Sequence, residues 1–468
     1  MKRGALSVAG LLILVLIGLA STLRFVNVTQ SPPGFYVDEA AISAQVICLR
    51  QSGENLQQER FPLLTPVLAG GYLTPTYLYP AIIWTSVFGD SIASFRSFAA
   101  AFSVLFILGM FVFGLRFWCS VEAGILCALS AAISPWAFHF ARIAWDPSLA
   151  PAYMVWAFAL LWSRRKWEIV LSGVLFSAAA YCYPPLRLHL AIMMPFAIAW
   201  LGRRRKFWRP YVLTVLVAGF LSLPLIELTL SGEIQARFEV LSVFDRDFLI
   251  QTYGEPRFIN GLRELIHSFG LLLSPKYLFV NGDSNLRHST GQLGIWSWLD
   301  CLAVFASLVA LALIVTKNSL LKPSRFRVAF VIVGYLAGIL PAALTWESNP
   351  HALRSFGAIT FLALGVGGAL TMMWRHSQAM RAAVIGTAFV SFLHFVNIYF
   401  VEYPHDARFW FDEDVTEFAS NLIQDGRIME MEAELKNRGF NYEPMAIYYY
   451  QLASGAARCP VRPESATR

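Results

Sequence analysis

Charged residues are scarce in this 468-residue chain. Asp, Glu, Lys and Arg make up 14% of it, against about 25% in an ordinary soluble domain. Whole segments lack them, and each is close to the roughly 20 residues that a helix needs to cross a bilayer. This scarcity excludes a soluble globular protein and predicts an all-α, polytopic membrane protein. The uncharged segments lie at 4–23, 97–115, 328–346, 355–374 and 382–401.

Patterns that bind metals or nucleic acids are also missing. The six cysteines show neither CxxC pairs nor any other zinc-ligand spacing, so we expect no cofactor and no metal site. A divalent metal between Asp38 and Asp146 would need a third ligand, which nothing in the sequence fixes. The net charge of +7 fits a membrane protein that collects Lys and Arg on its cytoplasmic side, and nucleic acid is not an expected partner.

Eleven segments are predicted to span the bilayer. A twelfth candidate, 71–89, contains Pro75 and Pro80, which favours a broken helix in the outer interface. The first segment is longer than the apolar region of a signal peptide, so we interpret it as an uncleaved span. The predicted spans are 4–23, 97–115, 121–138, 148–163, 167–183, 188–202, 210–229, 297–316, 328–346, 354–374 and 382–401.

The distribution of basic residues orients these spans. With the N-terminus in the cytoplasm, the inner loops receive fifteen Lys and Arg residues, whereas the short outer loops hold only Arg142, Arg187 and Arg354. A span at 71–89 would reverse every later loop, which the positive-inside rule disfavours. Residues 1–401 therefore form the predicted membrane module, with outer loops at 24–96 and 230–296 and a short outer tail at 402–468. In the tail, the stretch "FWFDEDVTEFASNLI" predicts an amphipathic helix.

Unusual polar residues cluster at the outer ends of these spans. Ionisable groups at membrane depth are costly and usually line a cavity or a path. Five clusters on one side predict one cavity at the outer membrane face. Because arginine pairs with phosphate oxygens, this cavity suits a lipid phosphate headgroup. The clusters are Asp38-Glu39, "HFARIAWDPS" at 139–148, "YCYPPLRLH" at 181–189, "SPKYLFVNGDSNLRHS" at 274–289 and "ESNPHALRS" at 347–355.

These motifs, in this order, resemble those of the GT-C superfamily of membrane glycosyltransferases. The similarity is to bacterial relatives of the protein O-mannosyltransferases and of the lipid A aminoarabinose transferase, and it covers about residues 1–410. Asp38-Glu39 matches the acid that opens the first outer loop in those families, and "ARIAWD" supplies Arg142 and Asp146. The segment "PSLAP" after Asp146 and the short tail depart from the family pattern, which leaves the acceptor open.

The resemblance implies a GT-C-type bundle in a bacterial inner membrane, with the active site facing outside. It implies a polyprenyl-phosphate sugar donor, a hydroxyl acceptor on a protein, glycan or lipid, and inversion at the anomeric carbon. The catalytic candidates are Asp38 as base, Glu39 and Asp146. The candidates for binding the donor phosphate or substrate are Arg142, Tyr183, Arg187, Lys276, Asp283, Arg287, His288, His351 and Arg354.

Two alternatives stay open at this stage. Neighbouring residues do not share a helix face, so one acid of the pair is expected to face the donor while the other orients a neighbour or binds an arginine. Asp38 also follows a Pro-Pro-Gly break, where it could serve only as a helix N-cap. For the whole protein, the rival function is a transporter or flippase of lipid-linked sugars, although the chain shows no internal repeat.

Overall fold

The protein is predominantly helical, and a helix overlaps each of the eleven predicted spans. Within the part of the chain that is described, five helices are long and apolar enough to cross a membrane. A sixth crossing results if Arg209–Leu221 and Leu223–Leu230, which are bent by 55°, form one span. The protein is an integral membrane protein, but the count of about eleven spans is not confirmed. The computed structural model describes residues 8–67, 72–205, 207–231, 236–315, 325–427 and 447–449.

The first half of the chain alternates long apolar helices with shorter ones. Its two short strands, β1 (Thr65–Pro66) and β2 (Tyr72–Leu73), pair antiparallel in the segment 24–96, the predicted first outer loop. The helices are α1 Val8–Leu23, α2 Val37–Ser52, α3 Pro75–Phe88, α4 Ile92–Trp118, α5 Val121–Ile133, α6 Pro135–Phe140, α7 Ala150–Leu161, α8 Lys166–Cys182, α9 Pro184–Arg205, α10 Arg209–Leu221 and α11 Leu223–Leu230.

The second half begins with the helices of the second outer loop and ends with the tail. Two π-helical turns, Lys276–Val280 and Ile398–Glu402, interrupt it. The helices are α12 Ala236–Leu241, α13 Arg246–Tyr253, α14 Phe258–Leu272, α15 Trp298–Val315, α16 Arg325–Ala343, α17 Ile359–His376, α18 Gln378–Asn397, α19 Tyr403–Asp406 and α20 Glu413–Gln424.

Serine residues fix where several of these helices begin. The Ser91 side chain accepts a hydrogen bond from the Ser94 amide at the start of α4, and Ser120 and Ser377 do the same for α5 and α18. Each satisfies one of the amides that the first helical turn leaves unpaired. These caps place the helix starts close to the ends of the apolar segments, which explains why the sequence pattern located them.

Close contact between α5 and α17 holds the centre of the bundle. A Cβ atom at Gly367 would lie 2.5 Å from the amide nitrogen of Cys127, so only glycine permits this approach. Small residues let helix backbones approach closely where lipid, not water, surrounds them. The contact brings α17 against the helix that leads, through α6, into the outer loop carrying Arg142 and Asp146.

Within the segment 71–89, which is predicted to lie in the interface, residues 75–88 form a short helix. Helix α3 is 14 residues long, has Pro75 in its first turn and contains Pro80. At 1.5 Å per residue it is about 21 Å long, which falls short of a hydrocarbon core of about 30 Å. Its Ile83 and Val87 side chains are largely exposed, while Tyr77 and Leu78 are buried.

The tail packs on the first outer loop. Helix α20 is amphipathic as predicted, and it buries Val415, Ala419 and Leu422. Gly34, just before α2, has a φ of +62°, and a Cβ atom there would lie 2.7 Å from the Glu413 Cα. Glycine is therefore required both for the backbone conformation and for the contact, and the segment around Asp38 is held between the bundle and the tail.

Candidate active site

Asp38 lies in the first turn of α2 with its side chain partly exposed. The helix begins at Val37, and the residue before it, Tyr36, makes no side-chain cap. The Val37 amide instead donates to the Asp412 carboxylate of the tail, at 3.0 Å. The interpretation of Asp38 as a plain N-cap is therefore wrong. Its carboxylate accepts a 2.9 Å hydrogen bond from the Tyr36 hydroxyl.

Glu39 points the opposite way and is completely buried. Its two carboxylate oxygens accept hydrogen bonds from Arg96, from Nε at 3.0 Å and from Nη2 at 2.7 Å. One of them also accepts from the Ala144 amide, at 2.8 Å. Glu39 is thus the acid of the pair that binds an arginine, and its placement does not fit the predicted catalytic role.

Arg96 uses all five of its N–H groups in this arrangement. Besides Glu39, it donates to the carbonyl oxygens of Val28, Pro32 and Gly34 at 2.7–2.9 Å. A buried arginine is stable only when its charge and its donors are satisfied, and both conditions are met here. The pair therefore fixes the loop that leads from α1 into the Asp38 turn.

Arg142 has a similar structural position. It is fully buried, and its guanidinium donates to the carbonyl oxygens of Leu23, Arg24, Val26 and Ser31 at 2.7–3.0 Å. These contacts stabilise the chain just after α1. The predicted role of Arg142 in gripping a lipid phosphate does not fit this position, because four carbonyl groups already receive its hydrogen bonds.

Asp146 interacts electrostatically with Asp38 and with Arg187. Asp146 begins a 3₁₀ turn before α7, and its backbone carbonyl accepts a 2.9 Å hydrogen bond from the Cys182 thiol at the end of α8. Burial raises the pKa of the Asp146 carboxyl to about 8, the Asp38 charge adds to the rise, and Arg187 opposes it. Tyr183 follows Cys182 and is half-buried.

Arg287 reaches the same acid through Tyr36. Its guanidinium carbon lies 4.8 Å above the Tyr36 ring, and its Nε donates to the Trp410 carbonyl oxygen at 2.5 Å. Because Tyr36 donates to Asp38, the second outer loop and the tail both contribute to the surroundings of the candidate base. Arg287 therefore lies close to Asp38, and its role in binding substrate stays a prediction.

Three further predicted residues come together in a separate cluster. The Nδ1 atoms of His288 and His351 lie 3.1 and 3.9 Å from one carboxylate oxygen of Asp283. The same oxygen accepts a hydrogen bond from the Ala352 amide, at 2.8 Å. Trp145, the residue before Asp146, lies over His288 with ring centroids 6.1 Å apart.

Two predicted residues are not brought into either group. Arg354 donates to Glu347 at 2.7 Å and to Thr345 at 2.9 Å, within its own loop. Lys276 is exposed at the start of a π-helical turn and makes no ion pair within the ranges that the structure describes. Their predicted roles in binding the donor remain without a structural basis.

Sequence reasoning missed Arg96, Tyr36 and Asp412. Arg96 ends the predicted loop 24–96, and a lone charge at the edge of an apolar segment is the one signal for a partner of a buried acid. Asp412 lies in the stretch that predicts the amphipathic tail helix. Nothing in the local sequence indicates that it caps a helix 375 residues earlier in the chain.

The protein is a polytopic helical bundle with acids after its first helix and before α7. Its fold is similar to that of a solved archaeal oligosaccharyltransferase. It matches no protein-family model and no curated protein sequence. Among solved structures it is similar to the oligosaccharyltransferase AglB from Archaeoglobus fulgidus in complex with an inhibitory peptide and a dolichol-phosphate. That match has a TM-score of 0.50 and 14% identity, and it covers 84% of this chain and 56% of AglB.

Two other solved structures show the same likeness. The apo form of the Archaeoglobus fulgidus enzyme gives a TM-score of 0.50 at 14% identity, over 84% of this chain and 55% of the other. ArnT from Cupriavidus metallidurans bound to undecaprenyl phosphate gives a TM-score of 0.49 at 14% identity, over 94% of this chain and 76% of ArnT. The chain spans little more than half the length of the oligosaccharyltransferase it matches. At 14% identity, the similarity to the oligosaccharyltransferase shows a shared fold and nothing further.

Proposed function

We propose that this protein is an integral membrane glycosyltransferase that moves a sugar from a polyprenyl-phosphate carrier to a hydroxyl acceptor. The observation that carries the proposal is the group formed by Asp38, Asp146 and Arg187. Asp38 is partly exposed and Asp146 interacts with it electrostatically, while the neighbouring Glu39 is buried in an ion pair. A partly exposed carboxylate and a guanidinium that both act on Asp146 suit a reaction that removes a proton and releases a phosphate.

Asp38 is the proposed base. With its pKa raised to about 8, Asp146 holds its proton at neutral pH, which makes it the less suitable of the two acids for the role of base. Environments that separate the protonation of two nearby carboxyl groups are a common way of assigning acid and base roles. The hydrogen bond from Tyr36 orients the Asp38 carboxylate.

The proposed reaction is a single displacement with inversion. The acceptor hydroxyl oxygen forms a bond to the anomeric carbon, while the bond from that carbon to the phosphate oxygen breaks. The bonding electrons leave with the polyprenyl phosphate, and the hydroxyl proton passes to Asp38. Arg187 is the proposed partner of the departing phosphate, because Arg142 and Arg354 are engaged elsewhere.

The carrier and the orientation are part of the proposal. The AglB structure with a similar fold contains a dolichol-phosphate, which supports a lipid phosphate as the carrier here. The excess of basic residues in the predicted inner loops supports a cytoplasmic N-terminus and an active site that faces the outside of a bacterial inner membrane.

The test is transfer by the purified full-length protein. Polyprenyl-phosphate sugars are supplied with protein, glycan and lipid acceptors, and the product is scored by mass. Asp38→Asn should reduce transfer by about 10²–10⁴-fold, the usual contribution of a general base. Asp414→Asn is the matched control, since Asp414 is exposed on α20. Near-normal turnover in the Asp38 variant would exclude it as the base. Movement of the lipid-linked sugar across vesicles without product would favour the transporter alternative.

A further inference from the structure

The cluster of Asp283, His288 and His351 is composed of metal-ligand groups and lies outside the group around Asp38. One ligand atom from each of the three residues lies within 4.8 Å of the other two. Asp283 and His288 come from the loop before α15, and His351 comes from the loop between α16 and α17. All three residues are buried. Two loops therefore converge on one small set of nitrogen and oxygen donors.

The orientation of the side chains fits a shared cation. The two imidazole rings are stacked with centroids 4.4 Å apart and an interplanar angle of 26°. Their Nδ1 atoms lie 3.1 and 3.9 Å from the same Asp283 oxygen. Ligand atoms about 2.0–2.1 Å from a tetrahedral zinc are separated by about 3.3 Å, so the observed distances bracket the expected one.

The charge of Asp283 needs a counter-charge. Its side chain is completely buried, and among the described residues its ion-pair contacts are with the two histidines and with no Lys or Arg. Two backbone amides, those of Asn285 and Ala352, donate to it. Glu39, another fully buried acid, has Arg96 as a partner, whereas the fully buried Asp300 accepts hydrogen bonds from Ser130 and Ser297. A buried carboxylate beside two imidazoles is neutralised by protonating a histidine or by binding a cation.

A second observation favours a bound cation. His288 lines a small cavity together with His139, whose side chain is 1% exposed. Neither ring nitrogen of His139 has a hydrogen-bond partner of normal geometry among the described residues, although the Arg287 backbone interacts with the ring. A water on the bound metal would give His139 a further hydrogen-bond partner in this cavity.

We propose that Asp283, His288 and His351 bind one divalent transition metal of the Zn²⁺ type, with an open coordination position towards the cavity of His139. Two imidazole nitrogens and one carboxylate oxygen suit such a metal better than Mg²⁺ or Ca²⁺, which prefer oxygen ligands. Binding replaces the 3.4 Å hydrogen bond from the Arg354 amide to His351 Nδ1. The proposal is independent of the proposed glycosyltransferase activity.

The metal would fix the second outer loop against the site around Asp38. His288 follows Arg287, which lies over Tyr36, and it also lies against Trp145, next to Asp146. From the sequence we expected no metal site, because the candidate pair Asp38 and Asp146 lacks a third ligand. The cluster proposed here uses other residues, and it includes neither of these two acids.

The experiment measures metal content and metal binding, not activity. The full-length protein is purified in detergent without chelators or affinity tags that carry histidine, and its metal content is determined by elemental analysis. It is then stripped and titrated with Co²⁺, whose visible absorption reports coordination by nitrogen and oxygen. We expect one metal per chain in the wild type and a Co²⁺ spectrum that Zn²⁺ abolishes.

Three variants locate the metal. His288→Gln and His351→Gln should each weaken Co²⁺ binding by at least 10–100-fold, the range known for losing a mere supporting contact of a metal ligand. His405→Gln is the matched control, because its side chain is 80% exposed and lies in the tail. Asp38→Asn should bind as the wild type does.

Several outcomes would overturn the proposal. The wild-type protein could bind no metal in stoichiometric amount, or the His288 and His351 variants could bind the metal normally. Loss of metal binding in the Asp38 variant would also contradict the proposed site. If both histidine variants fail to fold, the wild type decides: added Zn²⁺ must raise its melting temperature in the concentration-dependent manner of a ligand that binds only the folded state. A melting temperature that Zn²⁺ leaves unchanged would refute the site.

Discussion

Replacement of Glu39 by glutamine tests whether the two neighbouring acids have separate roles. Glutamine keeps the size of the side chain but removes the negative charge from an ion pair in which neither side chain is exposed. Arg96 would retain its three carbonyl partners and lose its counter-charge. Removing one partner of a buried pair costs about 3–5 kcal/mol, because the remaining charge stays buried without compensation.

The size of this loss can be converted to a melting temperature. An unfolding entropy of about 2.1 cal/mol/K per residue amounts to about 1 kcal/mol/K over the 468-residue chain. Glu39→Gln should therefore lower the melting temperature in detergent by about 3–5 °C, measured by tryptophan fluorescence. Asp38→Asn alters a partly exposed side chain, and we expect a shift below about 1 °C.

Transfer activity supplies the other half of the test. Asp38→Asn should abolish most of the transfer at an unchanged melting temperature, whereas Glu39→Gln at a temperature well below its transition should retain far more. An unchanged melting temperature for Glu39→Gln, or an equal fall for Asp38→Asn, would refute the division of roles. Arg96→Lys provides a second variant of the same pair, because lysine cannot reproduce the five hydrogen bonds of the guanidinium.

Three further predictions concern the surroundings of Asp38. Arg187→Lys should weaken polyprenyl-phosphate binding about 10- to 150-fold at fixed salt, whereas Arg354→Lys should bind normally; equal affinities for wild type and Arg187→Lys would contradict the phosphate contact. Because the pKa of Asp146 rises from 3.8 to about 8 on folding, the folded protein holds this proton more tightly and loses stability as the pH rises from about 4 to 8. Asp146→Asn should flatten the dependence of the melting temperature on pH. Parallel curves for the wild type and this variant would exclude a raised pKa of Asp146 as the cause. Asp412→Ala removes a helix cap worth about 0.5–2 kcal/mol and should lower kcat more than lipid affinity. Asp412→Asn keeps a capping side chain and should restore activity. An unaffected kcat in Asp412→Ala would show that the cap does not position Asp38.

Local sequence determined the helices of this protein. A segment of about 20 apolar residues has no stable state in a membrane other than a helix, because only a helix satisfies its own backbone groups. The serines that begin α4, α5 and α18 act on amides three residues away. The amphipathic spacing in α20 likewise needs no distant residue to be recognised. All of these features depend on neighbours in the chain, and the apolar helices and α20 were predicted from the sequence alone.

The roles of the polar side chains were decided by the tertiary structure. Arg142 and Arg187 both follow an apolar span at the predicted outer face, yet Arg142 holds four carbonyl groups of one loop while Arg187 acts on Asp146. Glu39 is buried because Arg96, 57 residues later, lies opposite it. A buried polar group must find partners, and packing between segments far apart in the chain supplies them. The spacing of residues in the sequence does not show which distant partner a polar group will have. Only the fold therefore distinguishes Glu39, which stabilises the loop, from Asp38, which faces the site.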